Sequence, residues 1–344
     1  MLGKLTGLAI AAVAALGIGT ARAETLELKV GVATSTLHAP IFIGVEKGFF
    51  AANGLDVKTV MYQSGVEMIN GLLTGAQDVN AMGSIPFLSG VSNGFPLLLI
   101  GHLHGDPTRD YYADNNGVVV GGKSGIADVA ALKGKTIGLP RGTGAEGYLL
   151  GLLSAAGLAT GDVTLVNVGP SELSSALQNG DVDAISVWEP WVSTATSKVA
   201  DSKLIIAGGC KTCYDPGTLL TSKSIAAEKP EALRRFMVAF AQSAQWGRQH
   251  LDEAAEINVR WIPGVDLEVM KAALPHGVMD HRMSKNTPEG YTRITLPELN
   301  AAGKLKTMFD PMTAIDPQFS AFAEESAPQY YSDLPRIPDA LVLR

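Results

Sequence analysis

Cysteine is almost absent. The 344-residue chain holds two, too few for a disulfide-built scaffold or a four-thiolate zinc site. Aromatic residues make up only 6%, and 27 basic residues face 34 acidic ones for a net charge of −7. That balance argues against a nucleic-acid reader, which needs a basic footprint interleaved with aromatics. Beyond the first 23 residues no apolar run is long enough for a bilayer helix; the nearest, Phe95 to Ile100, is strand-sized. With 18 Pro and 38 Gly the chain is not of low complexity. What is present is a 46% hydrophobic sequence of a length that suits about two domains.

The start of the chain reads as an export signal. Lys4 supplies the positive region, Leu5 to Gly19 the apolar core, and Ala21-Arg22-Ala23 an A-x-A cleavage site ahead of Glu24. The core is too short for a transmembrane anchor, and no Cys lies near residue 24 to carry a lipid. Residues 1–23 are therefore expected to be removed. Losing Lys4 and Arg22 leaves 25 basic against 34 acidic residues, a charge of −9.

The remainder alternates short apolar runs with amphipathic stretches. Leu26–Val32, Leu55–Met61, Val79–Met82 and Leu97–Ile100 read as strands; Ala39–Ala52 and Gly65–Thr74 read as helices between them. This βαβ order predicts an α/β layer with parallel strands. It restarts at Gly117, with strands at Val118–Val120, Thr136–Leu139, Val163–Val168, Ala184–Val187 and Leu204–Ala207. Helices are expected at Ile126–Leu132, Glu146–Ala156 and Ser171–Asn179. After Leu219 the pattern is mainly helical: Ser222–Ala227, Pro230–His250, Leu251–Trp261, Leu267–Ala273 and Thr295–Thr307. Two α/β lobes follow: 24–112 for lobe 1, 113–212 for lobe 2, and a largely helical 213–344 completing lobe 1. The crossovers fall near His104–Gly117 and Gly208–Thr218, and the ligand cleft between the lobes.

Four loops end strands and open helices. Thr34-Ser35-Thr36-Leu37-His38-Ala39-Pro40 carries three hydroxyls and a histidine, more than one helix cap needs. Met82-Gly83-Ser84-Ile85-Pro86 offers Ser84 as a cap or a ligand contact. Gly142-Thr143-Gly144-Ala145-Glu146-Gly147 is a literal G-x-G-x-x-G, but the acid of a dinucleotide fold should end the next strand, which instead ends Val168-Gly169-Pro170. What remains is a helix N-terminus with free N–H donors and the Thr143 hydroxyl, a seat for a small anion. Val187-Trp188-Glu189-Pro190-Trp191 ends a strand in an indole and an acid; Trp188 is expected to wall the cleft.

Cys210-Lys211-Thr212-Cys213 lacks a second pair for zinc; in an exported chain the plain reading is a local disulfide. His102 and His104 are expected to be surface or hinge residues. No H-E-x-x-H, G-x-S-x-G or paired-carboxylate pattern occurs.

Ala39-Pro40-Ile41-Phe42-Ile43-Gly44-Val45-Glu46-Lys47-Gly48-Phe49-Phe50, with Asn53-Gly54-Leu55-Asp56-Val57, resembles the first helix–strand unit of periplasmic solute-binding proteins for sulfonates, taurine and nitrate. Relatives that bind thiamine-precursor pyrimidines share it. Leu132-Lys133-Gly134-Lys135-Thr136-Ile137-Gly138, and the stretch from Gly180-Asp181-Val182-Asp183-Ala184 to Trp188-Glu189-Pro190, are similar to second-lobe segments of the same family. The resemblance runs from about residue 28 to 260.

The resemblance implies a type II periplasmic binding-protein fold: two α/β lobes, a central cleft and two crossover hinges. It implies a small anionic solute, first an aliphatic sulfonate or taurine, and as partners the permease and ATPase of an ABC importer. Nitrate, or a planar heterocycle on Trp188 held by His38 and Glu189, is the alternative ligand; a pyrimidine-synthase-like enzyme or a sensor is the alternative class. By position Leu37, His38, Ser84, Gly142, Thr143, Gly144, Trp188 and Glu189 match the family's ligand loops, and Tyr214 falls at the cleft rim. A periplasmic monomer is expected, without catalytic residue, metal or cofactor.

Overall fold

A computed structural model describes residues 25–62 and 65–343; the expected export signal lies outside them. Ten strands appear among the described residues. They are β1 (Leu26–Ala33), β2 (Leu55–Tyr62), β3 (Val79–Met82), β4 (Leu97–His104), β5 (Asn116–Val120), β6 (Thr136–Leu139), β7 (Thr164–Asn167), β8 (Ala184–Trp188), β9 (Lys203–Ala207) and β10 (Gly217–Ser222). They form two five-stranded sheets, ordered β2-β1-β3-β10-β4 and β7-β6-β8-β5-β9, one in each of two α/β lobes.

The sheets are mixed, not parallel throughout. β1 runs parallel to β2 and β3, whereas β10 is antiparallel to β3 and β4. In the second sheet β5 is antiparallel to β8 and β9. The reversals have one cause. β5 and β10 are the strands entered directly from a crossover. The chain reaches them from the cleft side, at the carboxyl ends of the parallel strands, so they run away from the cleft. β10 was not expected from its Gly-Thr-Leu-Leu-Thr-Ser sequence. All six residues are buried, and its hydroxyls are satisfied inside the sheet: Thr218 Oγ1 donates to Met82 O (2.9 Å) and Thr221 Oγ1 to Asp78 O (2.8 Å).

Helix boundaries differ in three places. The expected helix 39–52 is two, Ala39–Glu46 and Phe49–Ala52, broken at Gly48, whose φ of +73° belongs to a helix end. The stretch Ile126–Leu132 keeps only a 3-10 turn at Ala130–Leu132. The stretch from Thr295 shortens to a helix at Leu296–Ala301 after a π turn at Tyr291–Thr295. The long helix Pro230–Gln249 buries Leu233, Phe236, Met237 and Phe240, with Phe236 stacked on Phe50 at 5.3 Å. Each such side chain contributes roughly 1.5–3 kcal/mol by burial.

The two crossovers are tied to each other. Tyr112 N donates to Cys213 O (3.0 Å) and Asp215 N to Tyr112 O (2.7 Å). Cys210 and Cys213 are joined, S–S 1.97 Å, where the second crossover begins. Gly151 leaves room for that pair, since a Cβ there would lie 2.6 Å from Cys213 Sγ. Thiol titration of the unfolded, unreduced protein is expected to find no free thiol; two would remove the crosslink.

Candidate functional site

The loops after β1, β3, β6 and β8 meet where the two sheets face each other. Their contacts hold the lobes together. Thr34 O accepts both indole N–H groups, from Trp188 (3.1 Å) and Trp191 (3.0 Å). Thr36 N donates to Glu189 O (3.2 Å), Ser35 Oγ also reaches Glu189 O (3.3 Å), and Thr36 Oγ1 donates to Asn115 Oδ1 (3.1 Å). Two of the three hydroxyls after β1, those of Ser35 and Thr36, are thus explained by lobe-to-lobe contacts.

Beneath these contacts lies a cavity of about 60 Å³, lined from both lobes. Leu37, Met68, Met82, Pro86, Leu103 and Trp188 give it apolar walls. His38, His104, Asn115, Asn116 and Asp215 supply polar groups. No Lys or Arg is among its lining residues. Asn115 Nδ2, Asn116 Oδ1 and His38 Nδ1 are buried without a hydrogen-bond partner, and buried polar atoms left open are what a bound solute can satisfy. Burial holds the His38 imidazole down to about 4, against the hydrogen bond that joins its Nε2 to Ala81 O (2.9 Å). Burial likewise keeps His104 well below its ordinary value, with Nδ1 3.2 Å from Tyr112 Oη. Both rings are neutral at pH 7.

The expected site residues divide. Leu37, His38, Thr143, Gly144 and Trp188 line the cavity; Ser84, Gly142, Glu189 and Tyr214 do not. The Ser84 hydroxyl is spent within lobe 1, donating to Pro216 O (2.5 Å) and lying 3.0 Å from Tyr291 Oη. Gly142 N donates to Glu146 Oε2 (2.6 Å), and Thr143 Oγ1 to Pro140 O (2.7 Å). Those expected anion donors already have partners. Tyr214 is not a rim residue: it is buried edge-on against Tyr291, 5.4 Å between centroids, and Gly290 packs on its ring. His102 and His104 are buried in β4 rather than on the surface, His104 at the strand's end where the first crossover begins.

Glu189 turns away from the cavity to the helix that follows it. Its carboxylate accepts from Ser193 N (3.0 Å) and Ser193 Oγ (3.0 Å) at the start of Trp191–Lys198, and from His276 Nδ1 (2.8 Å) of the returning chain. That last bond crosses the cleft and raises the His276 pKa. A raised histidine contributes fully below its ordinary value near 6.5 and loses the contribution as pH rises through its raised value. Glu189 is buried but His276 is half-exposed, so solvent screens the pair and its weight is small. His276→Ala is expected to weaken solute binding about 2- to 5-fold at pH 6, an exposed-pair effect of ~0.4–1 kcal/mol, and less at pH 8. Calorimetry at both pH values checks this; an equal loss at the two would remove the ionic latch.

Asp215 was missed, as were Asn115, Asn116 and His104. Asp215 stands in the second crossover, just before β10, 7% exposed. Its Oδ1 accepts from Ser84 N (2.7 Å) at the start of helix Ser84–Ser92, and its carboxylate packs on Gly144 at the start of helix Gly144–Ala155. Burial pushes its carboxyl up to about 6 in spite of the Ser84 bonds. The signal was Tyr214-Asp215-Pro216, an acid beside a proline at a crossover, in the same form as Trp188-Glu189-Pro190.

Comparison with known proteins agrees with this architecture. The chain matches the family described as NMT1/THI5 like over residues 35–254. A Bacillus subtilis (strain 168) protein, named as an aliphatic sulfonates-binding protein, is 34% identical over 67% of this chain and 68% of its own length. Among solved structures, the alkanesulfonate-binding protein of Xanthomonas axonopodis pv. citri bound to MOPS superposes with a TM-score of 0.75. It is 22% identical and covers 86% of this chain and 99% of its own. The nitrate-binding protein of Synechocystis PCC 6803 gives a TM-score of 0.74 at 17% identity, covering 92% of each chain. These likenesses, with the two lobes and their shared cavity, place the chain in the NMT1/THI5-like family.

Proposed function

We propose that this protein is the extracytoplasmic solute-binding component of an ABC importer. It holds a small organic solute of the sulfonate class, an aliphatic sulfonate or taurine, and delivers it to the membrane permease. The observation that carries this reading is the small cavity lined from both lobes and overlain by hydrogen bonds between them. A solute enclosed there stabilises the closed arrangement over the open one, which is how a binding protein signals occupancy. At ~10–15 Å³ for each water-sized group, about 60 Å³ holds a solute of only a few heavy atoms. The sulfonate-binding names and the MOPS-bound neighbour support the class. The planar-heterocycle alternative loses one of its two hydrogen-bonding groups, because Glu189 lies outside the lining.

Calorimetry with taurine and short alkanesulfonates tests the class. Native mass spectrometry of protein purified from its own host weighs any retained solute. The absence of heat or thermal shift across a broad panel of small solutes sinks the proposal.

A further inference from the structure

The cavity belongs to a site read as anion-binding, yet its only ionisable carboxyl is Asp215 and no cation lines it. The start of helix Gly144–Ala155 should be the natural seat for a ligand anion. Two carboxylates of the chain itself already take it. Glu146 Oε2 accepts the Gly142 N–H at 2.6 Å, and its Oε1 is paired with Arg141 (2.7 Å) and Lys304 (3.1 Å). Asp215 lies against Gly144 while holding the Ser84 N–H at the start of a helix from the other lobe. A sulfonate brought to the same place would meet a buried like charge.

Asp215 differs from Glu146 in having no cationic partner among the described residues: its carboxylate accepts the Ser84 backbone N–H. Two of the buried side-chain atoms left open around it are acceptors. Asn116 Oδ1 is unpartnered; so is His38 Nδ1, which accepts when Nε2 carries the proton toward Ala81 O, the tautomer that bond implies. Asn115 Nδ2 is the one unpartnered buried side-chain donor among the described lining residues. Such a lining pairs with a solute that brings donors and positive charge to one end.

We propose that Asp215 determines the charge class of the solute: the cavity takes a small molecule whose protonated amine or amidine sits on Asp215. This rests on the solute-binding reading above and narrows it, placing amino-bearing sulfonates ahead of plain ones. A buried carboxylate pushed up to about 6 is relieved by such a partner. A neutral or anionic end leaves it unpaired, and unpaired buried groups give the sharpest discrimination between analogues.

The experiment is calorimetry at pH 7 with matched pairs, taurine against ethanesulfonate and 4-aminopyrimidine against pyrimidine, on the wild type and Asp215→Asn. The amine-bearing member of the binding pair is expected to bind at least ~100-fold more tightly to the wild type. In Asp215→Asn that preference should shrink to within about 3-fold. The asparagine keeps an acceptor for Ser84 N, and circular dichroism checks its fold; should it fail to fold, the wild-type preference decides alone. Ethanesulfonate binding as tightly as taurine overturns the proposal, as does a preference unchanged in the variant, or a retained native solute with no protonatable nitrogen. Amine-selective binding without any role in uptake would sink the importer reading and leave this one standing. Tight binding and uptake of amine-free sulfonates would do the reverse, and no binding across both pairs and a wider amine panel overturns both.

Discussion

Acidification from pH 6 to pH 4 is expected to remove ~5 kcal/mol of folding stability, a large share of the ~5–15 kcal/mol typical of a folded domain. Four histidines are buried: His38, His102, His104 and His281. Burial lowers them to about 4 for His38 and His102, about 3 for His281, and well below 6.5 for His104. Nδ1 of His38, His102 and His281 has no hydrogen-bond partner, so a proton added there would find no acceptor. The unfolded chain protonates all four near 6.5. Between that value and their folded values the unfolded state binds more protons, so stability falls with pH.

Three carboxyls that burial raises, Asp215, Glu298 and Glu324, act in the opposite direction. Burial raises Asp215 to about 6 and Glu298 to about 7, so the folded state takes up their protons first and gains stability as pH falls. Near pH 5 the four histidines set against Asp215 and Glu298 leave about two protons in favour of the unfolded state, or ~3 kcal/mol per pH unit. Urea unfolding followed at pH 6, 5 and 4 measures that slope. His281→Gln should reduce it by about one proton. Its ring contacts Tyr331 Oη and packs at 5.8 Å on Phe240, so the variant also lowers stability at pH 7; the slope, not the level, is the test. A stability flat from pH 7 to 4 would mean these rings are charged in the fold.

The lobes were legible because their strands and helices alternate at short, regular intervals. The loops after β1, β3 and β6 do open onto the cavity, whereas β8 reaches it with its last residue, Trp188. The strands entered from a crossover were harder. In β10 the hydroxyls of Thr218 and Thr221 break the apolar run, and only their bonds to neighbouring carbonyls explain why they can be buried. The site shows the same limit. Glu189 and Asp215 are alike in sequence, each an acid after an aromatic and before a proline. What separates them is the next element. Glu189 precedes a helix and is captured by the free N–H of Ser193 in its first turn. Asp215 precedes β10, which offers it no helix start, so it reaches across to Ser84 and Gly144. A crossover has no periodicity from which that choice could be read.

Gly144→Val is expected to cost solute binding about 10- to 100-fold, equivalent to the ~1–3 kcal/mol typical of overpacking. A Cβ at residue 144 would overlap Asp215 Oδ2 and stand 3.0 Å from Asp215 Cγ. Residue 144 is the first of its helix, in ordinary backbone, so valine meets the carboxylate rather than a forbidden dihedral. Asp215 cannot hold both its place and the 2.7 Å bond from Ser84 N once that volume is filled. Either it swings into the cavity, taking space from a solute of a few atoms, or the lobes part by the width of a methyl group and the bonds from Trp188 and Trp191 to Thr34 O lengthen. Both routes act on closure rather than on the core of either lobe, so the loss should appear in affinity and in ligand-induced thermal shift more than in the melting temperature of the free protein. Gly161→Ala, with nothing within 4 Å of the added Cβ, is the matched control and should bind normally. Full affinity in Gly144→Val would mean that the solute does not depend on the place Asp215 holds between the two helix starts.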